Sequence, residues 1–340
     1  MAKILVTGGC GYIGSHTIVD LLANGFDVIS IDNHARSSNY AIAAIEKITG
    51  TRIKNYEVDL KNFDDTLAVF QENPDIAGII HFAAYKAVGE SVEEPLFYYE
   101  NNVTTLIYVL QELQKLKCQN FIFSSSCTVY GEADKLPISE NSPIKPAESP
   151  YGNTKQIGEE ILKDSCQINL DLKTIALRYF NPIGAHNSSH IGELPQGVPQ
   201  NLVPYITQTA VGLREQLSVF GNDYDTKDGT CIRDYIHVTD VAKAHVCALN
   251  RLFKNQQSHN FEVFNIGTGK GSSVLEVIQS FERVSDQKLN YKIVDRRQGD
   301  VISAFADTTK ANTILGWKSK YSLDNAILDA WNWEQKIRNK

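Results

Sequence analysis

Short apolar runs recur along the first half of the chain, and their side chains are those that suit buried strands. Residues 3–7 (Lys-Ile-Leu-Val-Thr), 27–31 (Asp-Val-Ile-Ser-Ile), 53–58, 78–82 (Gly-Ile-Ile-His-Phe), 120–123 (Asn-Phe-Ile-Phe) and 172–177 are rich in β-branched and aromatic residues. Longer stretches with helical spacing separate most of them. Strand and helix in alternation predict an α/β fold, a Rossmann-like doubly wound parallel sheet with helices on both faces. After Phe180 the rhythm breaks into a Pro- and Gly-rich stretch over 181–204, where the chain is expected to leave the sheet. Long irregular segments of this kind usually serve function. A later apolar run over 261–266 ends in Gly267-Thr268-Gly269 and precedes a helix from about Ser272, so the chain should revisit the sheet. The expected organisation is a first domain over 1–180, rejoined around 237–268, and a smaller C-terminal α/β domain over 181–340.

Size and composition agree with two folded units. At 340 residues the chain exceeds the length at which a single core stops growing. No apolar run approaches the roughly eighteen residues of a membrane span, and glycines interrupt Ile4-Leu5-Val6 too soon for a secretory leader. A soluble, cytoplasmic protein is expected. Cys10, Cys118, Cys127, Cys166, Cys231 and Cys247 contain no Cys-x-x-Cys pair, which predicts reduced thiols and no metal site. A net charge of -7 argues against nucleic-acid binding, which wants a basic surface. Any anionic ligand must meet locally placed arginines.

Candidate chemistry begins after the first strand, at Thr7-Gly8-Gly9-Cys10-Gly11-Tyr12-Ile13-Gly14. Glycines at 8, 11 and 14 let the backbone turn sharply and approach a pyrophosphate, whose charge would sit at the N-terminus of the following helix. Asp32 ends the second strand 18 residues beyond Gly14. A carboxylate there accepts hydrogen bonds from ribose hydroxyls and repels a 2′-phosphate, which points to NAD over NADP. Arg36 nearby reads as a solvated loop residue. Asp59 and Leu60, after the third predicted strand, would cap the adenine.

A second centre is Ser149-Pro150-Tyr151-Gly152-Asn153-Thr154-Lys155, where Ser149 is a helix N-cap and Pro150 fills the first helical position. Tyr151 and Lys155, four apart, share one face. The strand over 120–123 runs into Ser124-Ser125-Ser126 at the sheet edge where open α/β folds bind ligands. A tyrosine acting as a base needs its pKa brought from about 10 to about 7, roughly 4 kcal/mol. One cation at about 5 Å with an effective dielectric of about 20 supplies roughly 3.3 kcal/mol. Lys155 is therefore expected to do most of this, with the nicotinamide of NAD⁺ adding the rest.

Taken with the blocks His81-Phe82-Ala83-Ala84-Tyr85-Lys86, Tyr98-Tyr99-Glu100-Asn101-Asn102, Arg178-Tyr179-Phe180-Asn181-Pro182, Phe220-Gly221-Asn222-Asp223-Tyr224, Arg233-Asp234-Tyr235 and Arg296-Arg297-Gln298-Gly299-Asp300, the chain resembles the extended short-chain dehydrogenase/reductase superfamily. Within it the resemblance is to the UDP-glucose 4-epimerases, across essentially the whole length. The resemblance implies NAD contacts at Tyr12, Ile13, Asp32, Asn33, Asp59, Leu60, Phe82, Ala83, Lys86, Asn101, Tyr151, Lys155 and Phe180. It implies sugar contacts at Ser126 and Tyr151, and a nucleotide-sugar shell of Asn181, Asn201, Leu202, Phe220, Arg233, Arg297 and Asp300. Arginine forks are what a pyrophosphate needs in a protein of net negative charge. The implied reaction interconverts UDP-galactose and UDP-glucose through a 4-keto sugar and transient NADH, with Tyr151 as base, helped by Ser126.

In members confined to those two substrates, a tyrosine often stands four residues after the aspartate of the Arg-x-Gly-Asp block. Here that residue is Ala304, which leaves room for an N-acetyl group and predicts activity on UDP-N-acetylglucosamine and UDP-N-acetylgalactosamine, unless Phe305 fills the space. The rivals are a nucleotide-sugar 4,6-dehydratase, which would need carboxylates where Cys127-Thr128-Val129 stands, and a dinucleotide sensor without catalysis. The resemblance also implies a homodimer; the helices near 96–116 and 155–168 are the candidate face, although packing on the sheet explains their apolar stripes equally well.

Overall fold

The computed structural model describes residues 1–117, 119–297 and 300–338. Cys118, expected to be a free thiol, and Gln298 and Gly299 of the 296–300 block lie outside the described residues. The chain runs β1 (Lys3–Thr7), α1 (Tyr12–Ala23), β2 (Asp27–Ile31), α2 (Tyr40–Thr49), β3 (Lys54–Tyr56), α3 (Phe63–Glu72), β4 (Ile76–His81), α4 (Val88–Glu93), α5 (Pro95–Leu113), β5 (Asn120–Ser126), α6 (Pro150–Ile168) and β6 (Lys173–Tyr179). It continues through β7 (Asn181–Ile183), α7 (Leu202–Ala210), β8 (Leu217–Phe220), β9 (Ile232–Arg233), β10 (Tyr235–His237), α8 (Val238–Phe253), β11 (Phe261–Ile266), β12 (Ser272–Ser273), α9 (Val274–Ser285), β13 (Tyr291–Val294), β14 (Ser303–Ala304) and α10 (Leu323–Arg338).

Seven strands form one parallel sheet in the order β3-β2-β1-β4-β5-β6-β11. The strand period of two sorts β1 between the faces. Ile4 and Val6 pack with α1, α2 and α8, whereas Leu5 packs with α3, α5 and α6. Each such fully buried aliphatic side chain contributes roughly 1.5–3 kcal/mol. Connections run to opposite sides of β1, towards β2 and towards β4, so a crevice opens above their carboxyl ends, where sheets of this kind bind ligands.

Beyond β6 the chain leaves the sheet for a smaller layer of paired short strands, β7 with β10, β9 between β12 and β14, and β8 with β13. α7, α9 and α10 cover a separate core that includes Ile183, Ile206, Val219, Phe281 and Trp331. Between these segments α8 packs with the first core and β11 pairs with β6. Among the described residues no helix is long and apolar enough to cross a membrane. Cys10, Cys127, Cys166, Cys231 and Cys247 are free thiols.

Two strands depart from the sequence expectation. β5 runs through all three serines to Ser126, because β6 pairs with it in register to Ser126 opposite Tyr179 and neighbouring groups satisfy the hydroxyls of Ser124 and Ser125. β3 shrinks to Lys54–Tyr56, an edge strand held only by the end of β2.

Candidate active site

The glycine loop links β1 to α1 across the floor of the crevice. Gly8 has φ of +69°, and a Cβ on it would lie 2.9 Å from the Ala83 nitrogen, so this turn belongs to glycine. A Cβ on Gly14 would stand 2.3 Å from the Gly8 oxygen, which is why α1 can press onto the loop. Gly11 precedes α1 without any side-chain cap, leaving the positive helix end to be met by an anion. Above it opens a cleft of about 470 Å³ lined by the loop, by Asp32 and Asn33, by Asp59 and Leu60, by Phe82, Ala83 and Lys86, and by Asn101, Tyr151 and Lys155. That volume is ordinary for a cofactor site.

Asp32 is held at the end of β2 by Cys10 N–H (3.0 Å), His34 N–H (2.9 Å) and the Ser37 hydroxyl (2.7 Å). Arg36 is an exposed loop residue with half of its side chain open to solvent. It pairs with Glu90 and lies over the Tyr85 ring, at the cleft wall. A guanidinium engaged by a carboxylate is a poor receptor for a 2′-phosphate. The uncapped helix end, the glycine floor and the Asp32 carboxylate together fit an NAD-type dinucleotide.

Ser149 caps α6 by accepting from Gly152 N–H at 3.2 Å, and one turn separates Tyr151 from Lys155. The Lys155 ammonium donates to the Ser124 carbonyl at 2.7 Å and lies 5.9 Å from the centre of the Tyr151 ring. The Ser126 hydroxyl accepts from Thr128 N–H at 3.2 Å and lies near enough to the Tyr151 phenol to favour its ionisation. The three predicted catalytic groups thus meet where β5 ends.

Burial sets the electrostatics of this pair. It pushes the Tyr151 phenol up to about 12, opposed by the nearby Ser126 hydroxyl. Burial also pulls Lys155 down to about 7, opposed by the charge of Glu159. Desolvation therefore works against the lysine charge as well as against the phenolate. Moving the phenol from about 12 to neutrality takes roughly 7 kcal/mol, about twice what one cation supplies through an effective dielectric of about 20. A second positive charge beside the phenol is required.

Phe180, expected at the cofactor, does not line the cleft with its side chain. It packs with Val129, Tyr130, Ile138 and Ala306, and its neighbour Tyr179 lines the cleft instead, bonded to the Ser124 hydroxyl. Glu193 and Trp333 are further lining residues without a local signal in the sequence. Glu193 Oε1 accepts from Lys86 Nζ (2.9 Å) and Asn201 Nδ2 (2.6 Å), so Lys86 and Asn201 meet through it.

A chain of contacts leads from Ser126 into the second layer. Cys127 follows in a short 3-10 turn, and its thiol, pushed up to about 12 by burial, feels the charges of Arg233 and Asp234. Arg233 and Arg297 both reach Asp300, at 3.5 Å and 2.7 Å, and Arg297 lies over the Phe220 ring. Ala304 on β14 pairs with Arg233. Asn181 begins β7 opposite Tyr235, and Leu202 begins α7. Asp234 ties these segments together by accepting from Thr268, Gly269 and Ala306.

A dinucleotide crevice with Ser, Tyr and Lys at its edge, facing a second layer with clustered arginines, defines an extended short-chain dehydrogenase/reductase. The family described as GDP-mannose 4,6 dehydratase matches over residues 5–330. The UDP-glucose 4-epimerase of Bacillus subtilis (strain 168) is 48% identical over 99% of this chain and 98% of its own. A crystal structure of the UDP-glucose 4-epimerase from Bifidobacterium longum, in complex with NAD⁺ and UDP, has a TM-score of 0.95 at 43% identity and 99% coverage of both chains. The UDP-Glc/GlcNAc 4-epimerase from Campylobacter jejuni has a TM-score of 0.85 at 36% identity, covering 99% of this chain and 100% of its own. The chain therefore belongs to this family, and within it to the UDP-glucose 4-epimerases.

Proposed function

We propose that the protein interconverts UDP-galactose and UDP-glucose by inverting C4 of the sugar, with NAD as its cofactor. The observation that carries this is the meeting of Ser126, Tyr151 and Lys155 at the carboxyl edge of β5, between a glycine-floored cleft and the Arg233–Asp300–Arg297 cluster. Gly8, Gly11, Tyr12, Ile13, Gly14, Asp32, Asn33, Asp59, Leu60, Phe82, Ala83, Lys86 and Asn101 hold the dinucleotide, and Phe180 contributes through its backbone. NAD, when bound, supplies a hydride acceptor and the second positive charge that Tyr151 needs. Tyr151 takes the proton of the 4-hydroxyl, and Ser126 orients phenol and hydroxyl towards each other. Lys155 adds its charge from behind. Arg233, Arg297, Asn181, Asn201, Leu202, Phe220 and Asp300 keep the UDP moiety in place while the 4-keto ring turns and presents its other face.

Residues 1–180 with α8 and β11 form the dinucleotide domain, and the remainder of 181–340 forms the UDP-sugar domain. The protein is cytoplasmic. It acts as a homodimer through α5 and α6, where Leu96 and Ile168 stand exposed. The family also covers 4,6-dehydratases, whose elimination step needs an added acid and base. Here Ser126 is followed by Cys127, Thr128 and Val129, and the Cys127 thiol is held protonated by burial.

Incubation of the purified protein with UDP-galactose should yield UDP-glucose, and Tyr151→Phe should slow this by about a hundredfold or more while NAD stays bound. Undiminished turnover in that variant would falsify the assignment. A dinucleotide sensor would leave UDP-galactose untouched.

The geometry around Ala304 favours a wider substrate range. Ala304 and Ala306 pack on the cluster of Tyr130 and Phe180, whereas the ring of Phe305 turns to Gly271, where an added Cβ would meet it at 3.2 Å. The small side chain of Ala304 and the position of the Phe305 ring near Gly271 support turnover of N-acetylated UDP-hexoses as well. Ala304→Tyr should abolish their epimerisation and spare UDP-galactose; equal activity on both after the exchange removes this reading.

A further inference from the structure

Three residues on α6 recur at a spacing of four: Tyr151, Lys155 and Glu159. Such spacing stacks them on one face, a turn apart. Only the first two are used above. Glu159 is tied to both strands beneath the helix. Its Oε1 accepts from the Ser125 hydroxyl of β5 at 2.5 Å and from Arg178 Nε of β6 at 2.8 Å, and its Oε2 accepts from Arg178 Nη2. Ser125 and Arg178 stand opposite each other in the β5–β6 register. The Arg178 guanidinium also lies against the Tyr130 ring, 4.8 Å from its centre. Both partners of the ion pair are nearly buried, at 7% and 10% side-chain exposure.

A buried ion pair is a poor source of stability, since apolar side chains of similar volume often do as well or better. Its planar fork, in contrast, fixes position in two directions at once. Turning α6 by one residue on the sheet would swing each side chain about 100° around the axis and take Tyr151 and Lys155 out of reach of Ser126 and the Ser124 carbonyl. Resting on the catalytic reading above, we propose that Glu159, clamped by Arg178 and Ser125, is a positioning residue that sets the seat of α6 and keeps a negative charge one turn behind Lys155.

The charged and titratable groups around Lys155 are consistent with that second role. On α6 they are Tyr151 and Glu159. From β4, His81 feels the lysine charge and is driven neutral by burial. From β6, Tyr179 adjoins Tyr151, and Arg178 is engaged by Glu159. Among these described groups Glu159 is the carboxylate, and its charge opposes the burial that depresses the ammonium.

The test compares Glu159→Leu/Arg178→Met, which removes both charges and leaves no unpaired ion, with Ser125→Ala, which keeps the ion pair and removes one hydrogen bond. Each is loaded with NAD and assayed for thermal melting, for kcat and KM with UDP-galactose, and for the tyrosinate absorbance of Tyr151, taken as the difference from the same protein carrying Tyr151→Phe. The double variant should melt close to the parent, lose about tenfold in kcat with KM unchanged, and titrate its phenol about one pH unit higher. Ser125→Ala should show the same pattern at about two- to threefold. A double variant with parental melting, kcat and phenol titration overturns the inference. Should it not fold, parental kcat and titration in Ser125→Ala overturn it. Tyr151→Phe that still epimerises would instead overturn the catalytic reading, so the two failures are told apart.

Discussion

The two ends of the crevice are built differently. At the dinucleotide end the backbone does the work. Seven residues from Gly8 to Gly14 supply the turn, the close approach and the helix end, and their fit rests on missing side chains. At the end proposed to hold the sugar nucleotide, side chains from remote segments are brought together: Phe220, Arg233, Arg297 and Asp300 span 81 positions and meet through ion pairs and a ring contact. A site made of backbone is rigid and legible along the chain, whereas one made of charge pairs forms only when β8, β9 and the segment before β14 have assembled.

The sharpest way to break that contrast is Gly14→Ala. The new methyl would lie 2.3 Å from the Gly8 oxygen, so α1 must withdraw from the loop. Calorimetric titration should show NAD affinity reduced about a hundredfold, with a stability loss of roughly 1–3 kcal/mol; parental affinity would mean the floor is softer than its geometry implies. At the other end, Arg233→Ala removes one fork from Asp300 but leaves Arg297 in place. UDP affinity should fall about tenfold and NAD affinity should not change. Parallel loss of both ligands would show the two ends to be one mechanical unit.

The gentlest effect is a slope. Lys155 ionises near 7 in the fold against 10.5 ordinarily, so between these values the unfolded chain binds the extra proton. The stability of the cofactor-free protein should therefore rise with pH from about 7 towards 10, by at most about 1.4 kcal/mol per pH unit. Lys155→Met should remove that rise in denaturant titrations at several pH values. A slope identical in both proteins would place the lysine in a wetter setting than the fold gives it.

Several features were legible because they are local. Glycine spacing, the strand before it and Asp32 after the next strand lie within one β-α-β unit, and the Tyr151–Lys155 spacing lies within one helix. What local reading left out has a common cause. Phe180 and Tyr179 differ by one position at the end of β6, and successive strand residues face opposite ways, so the cleft received Tyr179. Arg36 is exposed on its loop as expected, but its partner Glu90 lies on α4 and was out of local view. Glu159 had the spacing in view, yet its meaning depends on Arg178, which only the β5–β6 register brings opposite Ser125.

By itself, the sequence determined the sheet type, the glycine-floored turn after β1 and the one-turn spacing of Tyr151 and Lys155, since these follow from periodicity and from what each side chain can do. Tertiary structure decided the charges. Whether Lys155 carries a proton, and how reluctantly Tyr151 gives one up, depends on how much water packing removes and which distant carboxylate stands behind them, and neither quantity is written in the order of residues.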